Sequence, residues 1–208
     1  MLRPSERVPV SRVAFLDFEA SSLGKASYPV EVAWVLADGT GESFLIRPAP
    51  AWTDWAPGAE AVHGIPRERL VREGVPHDWV ALHMLTTLRE VGLYASAPSW
   101  DGRWLSRLLR AGGLPRHALR LKATADAQRR VILDVLTAGG LAPERRDAVA
   151  GRLMTALRQE AKDDPAPEHR ALSDARREWR RWGQARALAE AVLREGAPEP
   201  DGDQAAPR

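Results

Sequence analysis

Four acids and one histidine stand where their types and local spacing could do chemistry. Asp17 and Glu19 close an apolar run that begins at Val13 and reads as a strand buried on both faces. Two residues apart on a strand, their side chains leave the same face of the sheet, close enough to repel one another as anions. No lysine or arginine lies between Val13 and Leu23. A pair of hard oxygen donors with no cation of its own suits Mg²⁺ or Mn²⁺, although the spacing also allows a strand-end pair that caps a helix or meets solvent. Asp101 opens a helical pattern, where taken alone it reads as a cap or a first-turn acid. His169 and Asp174 are five apart, about 140° around a helix, so they cannot share a helix face. His169 must therefore precede the helix that carries Asp174. That division would suit a mobile base beside a fixed ligand, and surface decoration is the other reading of a lone loop histidine.

The elements that must position these residues follow from periodicity and punctuation. Strands are expected over about Val13–Phe18, Val30–Leu36 and Ser43–Arg47, the last two joined by a turn at Ala37–Gly41. Residues 48–66, rich in Pro, Trp and Gly, read as a long surface loop ending in Val62-His63-Gly64-Ile65-Pro66. A short helix from Pro66 to Glu73 and a longer one from Asp78, stopped by Gly92, come next. A strand over Leu93–Ala97, a helix over Trp100–Ala111 and a fifth strand over Ala118–Ala123 complete an α/β alternation. Helical patterns then run near Asp126–Thr137, Pro143–Glu160 and Ala171–Leu193, with a Pro-containing break at residues 163–167. A single domain over residues 1–194 is expected, with a disordered tail of Gly, Pro, Ala and acid over 195–208.

Composition narrows the function classes. The 208-residue chain has no cysteine, which excludes disulfide scaffolding, thiol catalysis and cysteine-zinc sites. No apolar run has the roughly 18 residues of a membrane helix, so the chain reads as soluble, cytoplasmic and without a membrane partner. The net charge is only +2, yet Lys25, Lys122 and Lys162 are the only lysines among 30 cations. Arginine's planar fork binds phosphate in two-point contacts, but a GC-rich coding bias would raise Arg, Ala, Gly and Pro together. Arg170, Arg176, Arg177, Arg180 and Arg181 cluster on the last helix, as a phosphate track or as a solvated face. Trp34 and Trp179 read as core, while Trp52, Trp55, Trp100 and Trp104 lie near the segments of interest.

Four of those segments, read in order, carry more than their parts. They are Phe15-Leu16-Asp17-Phe18-Glu19-Ala20-Ser21-Ser22-Leu23, Val62-His63-Gly64-Ile65, Trp100-Asp101-Gly102-Arg103-Trp104-Leu105 and His169-Arg170-Ala171-Leu172-Ser173-Asp174-Ala175. The set resembles the histidine-type DEDD 3′-to-5′ exonucleases over residues 12 to about 190, with the exonuclease motifs in family order. The resemblance implies a ribonuclease H-like α/β fold, a mixed five-stranded sheet flanked by helices.

Carried over residue by residue, it makes Asp17, Glu19, Asp101 and Asp174 the metal-binding acids of a site for two Mg²⁺ or Mn²⁺ ions. Asp17 would bridge the ions, Glu19 and Asp174 would hold the one on the nucleophile side, and Asp101 the other. His169 would be the general base, since an ordinary imidazole titrates near about 6.5. Ala20, Ser21, Leu23, His63 and Ile65 would contact the terminal nucleotide, Leu23 as a wedge against its base. The implied partner is a single-stranded nucleic acid with a 3′ end, and the implied product a nucleoside 5′-monophosphate; small relatives also form homodimers. The chain departs from the family at Ala20-Ser21, where a threonine is usual, at Ala97 in place of an asparagine, and at Trp100 in place of a phenylalanine. These changes spare every implied ligand but bear on substrate choice. They leave two alternatives: an inactive nucleic-acid-binding module on the same fold, or a hydrolase of small phosphodiesters.

Overall fold

The structure, a computed structural model, describes residues 12–164 and 166–195. The expected disordered tail, Glu195 apart, lies outside the described residues.

Strand β1 (Val13–Ala20) pairs antiparallel with β2 (Pro29–Leu36), and β2 pairs antiparallel with β3 (Gly41–Arg47). The turn between β2 and β3 needs Gly39, whose φ of 87° a side chain would strain. Helices α1 (Pro57–His63) and α2 (Arg67–Glu73) follow, and then a two-residue strand β4 (Val75–Pro76), parallel to β3. Next come α3 (His77–Leu88), β5 (Gly92–Ala95), α4 (Pro98–Ala111) and β6 (Leu121–Ala123). Helices α5 (Thr124–Ala138), α6 (Pro143–Glu160) and α7 (Ala171–Glu195) complete the chain. The sheet has the order β4-β3-β2-β1-β5-β6, so the five expected strands form a mixed α/β sheet and β4 adds a sixth at its edge. No helix among the described residues is long and apolar enough to cross a membrane.

Residues 48–66 are not one surface loop. Pro57 starts α1, Gly64 ends it with a left-handed φ of 66°, and Trp52, His63 and Ile65 are buried. Proline and glycine punctuate a helix here rather than prevent one. Nor does Gly92 stop α3, which ends at Leu88; Gly92 opens β5, where its N–H donates to the carbonyl of Arg12.

The chain divides into two compact units. One, residues 1–127 and 165–181, holds the sheet. In it Ala14, Leu16, Phe18 and Ala20 send alternate side chains of β1 into a core shared with Met84, Leu88, Leu105, Leu108 and Leu109 from α3 and α4. The period of two then puts Phe15, Asp17 and Glu19 on the opposite face. The other unit is helical over its described residues, 128–164 and 182–195, and buries Val131, Ile132, Leu136, Val149, Met154, Leu157, Trp182 and Ala189.

β1 is paired with β2 over nearly its whole length but with β5 only from Val13 to Phe15. Beyond Phe15 the edge facing β5 is open. Crevices at the carboxyl ends of diverging parallel strands are where α/β sheets place ligands, and Asp17 and Glu19 stand there.

Candidate active site

A cavity of about 550 Å³ in the sheet-bearing unit is lined by Asp17, Glu19, Asp101, His169 and Asp174 together. Asp17 and Glu19 come from β1, Asp101 from the first turn of α4, and Asp174 from the first turn of α7. His169 precedes α7, as the angular argument requires. It is exposed, and it is the only non-glycine residue among the described ones with a positive φ, 54°. Glu19, His169 and Asp174 each bring one donor atom within 4.8 Å of the others. Asp17 and Asp101 line the same cavity outside that cluster.

The electrostatics of this group are unbalanced. Burial, reinforced by Asp101, Glu19, Asp174 and Glu178, holds the Asp17 carboxyl well above its ordinary range. Glu19 is pushed up to about 8, first by burial and then by Asp174 and Glu31. Burial raises Asp101 to about 7, against the opposing pull of backbone hydrogen bonds from Phe18, Ala97 and its own residue. The Phe18 bond fits the topology, because β5 no longer pairs with that part of β1. Arg177 lines the cavity with Nη2 3.4 Å from Asp174 Oδ1, and no lysine lines it.

Glu31 fixes the chain beside His169. It is register partner to Glu19 across β1 and β2, and it is 2% exposed. Its carboxylate accepts Arg170 Nε at 3.1 Å and Nη2 at 2.7 Å, in a two-point contact, and the Ala171 N–H at 3.0 Å. Glu31 thus caps α7 from another strand and pins the residues that follow His169. Glu31→Ala should cost about 1–3 kcal/mol, read as a lower urea midpoint, because a half-exposed guanidinium and a helix-start amide lose their acceptor.

The expected nucleotide contacts divide in two. Ala20, Leu23 and His63 line the cavity; Ser21 and Ile65, both fully buried, do not. Leu23 is 72% exposed, held out on a turn in which Ser22 Oγ donates to Asp54 Oδ2 at 2.6 Å and accepts the Gly24 N–H. Ser21 Oγ also donates to Asp54 and accepts the Tyr28 N–H, so its hydroxyl is committed to the scaffold. His63 Nδ1 accepts the Ile65 N–H at 3.0 Å, a contact permitted by the left-handed Gly64 between them. That places the proton of the neutral ring on Nε2, which is buried at the cavity wall. Burial pushes the His63 imidazole down, while Glu60 and Glu31 pull the other way.

Sequence reasoning missed Glu31, Asp54 and Glu178. Glu178 was findable, because it lies four residues after Asp174 on the same face of α7 and is buried. The arginine cluster of α7 is no uniform track: Arg170 pairs with Glu31, Arg177 with Asp174, and Arg181 with Glu178, while Arg176 and Arg180 are exposed. Trp34 is core, whereas Trp179 is only half-buried, its indole N–H donating to the Ala37 carbonyl. Trp100 and Trp104 line the cavity; Trp52 stacks on Tyr28, and Trp55 donates to Glu60.

No family model matches the chain, and no curated protein matches it. Among solved structures it is similar to apo exonuclease I, with 17% identity and a TM-score of 0.58 over 88% of this chain and 44% of that one. It is also similar to E. coli exonuclease I in complex with a dT13 oligonucleotide, with 16% identity and a TM-score of 0.58 over 89% and 42%. A zinc-ion-bound E. coli exonuclease I complex with single-stranded DNA gives 18% and 0.57 over 89% and 42%. The chain therefore spans less than half the length of these proteins. The likeness establishes the fold: α/β and ribonuclease H-like, with the acid-lined cavity opening where β1 outruns β5.

Proposed function

We propose that the chain is a metal-dependent 3′-to-5′ exonuclease that hydrolyses single-stranded nucleic acid, DNA or RNA, and releases nucleoside 5′-monophosphates. The observation that carries this reading is the convergence of Asp17, Glu19, Asp101, His169 and Asp174, drawn from three elements and a loop, on one cavity. The solved exonuclease I structures it resembles include complexes with single-stranded oligonucleotides and a zinc-bound form, which agrees with the same chemistry.

The donors fit two divalent cations, Mg²⁺ or Mn²⁺. Asp17, Glu19, Asp101 and Asp174 are hard oxygen ligands, and among the described residues Arg177 is the only arginine or lysine lining the cavity. Bound ions would supply the positive charge that lowers the pKa of an attacking water and stabilises the leaving 3′-oxygen. Asp17, Glu19, Asp101 and Asp174 would be the residues that hold them, and Glu19 and Asp174 already bring donor atoms within 4.8 Å of each other. His169 takes the proton of the attacking water, and its exposed place before α7 gives it the freedom to do so. Leu23 wedges against the terminal base, and His63 Nε2–H donates to the terminal nucleotide.

The test is a degradation assay on matched 3′-ended DNA and RNA oligomers, with Mn²⁺ and with chelator. Stepwise release of nucleoside 5′-monophosphates, dependent on metal, is expected. Intact oligomers would sink the reading, and binding without cleavage would identify the inactive module instead.

Stability gives an independent readout. The unfolded chain releases carboxyl protons near about 4, whereas folded Glu19 and Asp101 hold theirs to about 8 and about 7. Across that window the folded state binds more protons, so stability in chelator should fall as pH rises from about 4 to 8. Saturating Mn²⁺ needs ionised carboxylates and should raise Tm more at pH 8 than at pH 5, by several degrees at about 2–4 °C per kcal/mol. Equal shifts at the two pH values in thermal melts would contradict the carboxylate site.

A further inference from the structure

A second cavity, of about 470 Å³, lies along α4 in the sheet-bearing unit. Its charged lining is Lys25, Arg103, Arg107, Arg110, Arg116 and Arg120, and it includes no carboxylate. Arg103, Arg107 and Arg110 are spaced by four and three, so they share one face of α4, opposite the buried Leu105, Leu108 and Leu109. None of the six cations forms an ion pair with an acid among the described residues. The chain carries nearly as many acids as bases, so a lining drawn at its own composition would mix the signs. A coding bias toward arginine cannot explain a groove from which every acid is absent, whereas on α7 Arg177, Arg181 and Arg186 meet acids.

Like charges gathered without counterions focus a positive potential and cost stability until an anion arrives. Guanidinium forks match phosphate oxygens in two-point contacts. Two arginines are already oriented: Arg103 lies 4.8 Å over the Trp100 ring and donates to the Gly24 carbonyl, and Arg107 lies 6.0 Å over the ring of Trp52. The groove adjoins the candidate active site, because Trp104 lines both cavities and Lys25 stands two residues beyond Leu23. A strand whose 3′-terminal nucleotide sits against Leu23 reaches the groove by carrying its preceding phosphates past that turn.

We propose that the α4 groove binds the sugar-phosphate backbone of a single-stranded substrate upstream of its 3′-terminal nucleotide, as a sequence-independent electrostatic track. This rests on the nuclease reading for the strand's direction, but phosphate binding itself can be measured without catalysis. Contacts of this kind position a strand without reading its bases.

The experiment measures fluorescence anisotropy of a labelled oligothymidylate of about 20 nucleotides and of a trinucleotide, in chelator, from about 50 to 200 mM salt. The proteins are the wild type, a triple variant Arg107→Glu, Arg110→Glu, Arg120→Glu, and a milder pair Arg110→Gln, Arg120→Gln at exposed positions, with folding checked by circular dichroism. The triple variant should bind the long strand at least about 10-fold more weakly. Its log affinity against log salt should flatten by roughly 0.7 per lost phosphate contact, and its loss should exceed that for the trinucleotide. The milder pair should move in the same direction, by less.

Folded variants that bind the long strand like the wild type at every salt concentration would overturn the proposal. So would a groove-dependent affinity for phosphatidylserine vesicles with none for the oligonucleotide. Hydrolysis is measured separately on the wild type: groove-dependent binding without cleavage under any divalent metal fails the nuclease reading and keeps the track, whereas cleavage with unaltered variant binding does the reverse.

Discussion

Asp17→Asn should lower kcat/KM on 3′-ended oligomers by on the order of 10³-fold or more, yet leave the protein more stable than the wild type in chelator. The two effects have one cause. Asp17 lines the cavity, buried beside Asp101, Glu19, Asp174 and Glu178, and every one of these neighbours resists its ionisation. An amide of the same shape replaces a group whose ionisation the fold opposes and which must bind a proton to stay buried, so the unliganded fold gains stability, at about 2–4 °C in Tm per kcal/mol. The same change removes one of the carboxylates proposed to hold the metal. The measurement is paired: initial rates with saturating Mn²⁺, and thermal melts with and without it. A variant that loses activity and also melts lower in chelator would mean that Asp17 is a structural residue, held by contacts other than repulsive ones. A variant that keeps more than a tenth of the activity would remove Asp17 from the metal set.

Asp17 and Glu19 were readable as a same-face pair because a strand alternates with a period of two, and β1 keeps that alternation with Leu16 and Phe18 in the core. His169 and Asp174 were separable by the period of a helix. Their convergence depends instead on β1 lying between β2 and β5 and running beyond its pairing with β5, a relation among segments far apart in sequence that no local pattern contains. The resemblance to an exonuclease family supplied the gathering of residues that spacing could not. Local reading failed where composition misled it. Helix α1 was hidden in a segment rich in Pro, Gly and Trp because those residues mark its ends and its packing surface. Glu31 looked like one more acid in a strand, since nothing nearby shows that its partner is Arg170, 139 residues away. Ser21 looked available for substrate, and only the approach of Asp54 and the Tyr28 amide uses up its hydroxyl. The arginines of α4 and α7 are indistinguishable by type; what separates them is which helix has acids within reach.

His169→Ala should lower kcat at saturating Mn²⁺ by about 10²- to 10⁴-fold, if the imidazole is the general base. Its ring lies within 4.8 Å of Glu19 and Asp174 donors, a distance from which it could equally serve as a ligand, so the rate alone does not assign its role. Metal affinity does. A base works on water and leaves the ions to the carboxylates, so the apparent Mn²⁺ affinity, read from the midpoint of the Mn²⁺-dependent rise in Tm, should change by less than about threefold in His169→Ala. A ligand would take at least about tenfold of that affinity with it. The backbone adds a control. His169 adopts a left-handed φ of 54°, which asparagine tolerates better than alanine, so His169→Asn keeps the local conformation while removing the base. If both variants lose the same activity and keep the same Mn²⁺ midpoint, the lost function belongs to the imidazole. If His169→Asn recovers most of the rate, the residue matters for the path of the chain into α7, and proton removal must be assigned elsewhere in the cavity.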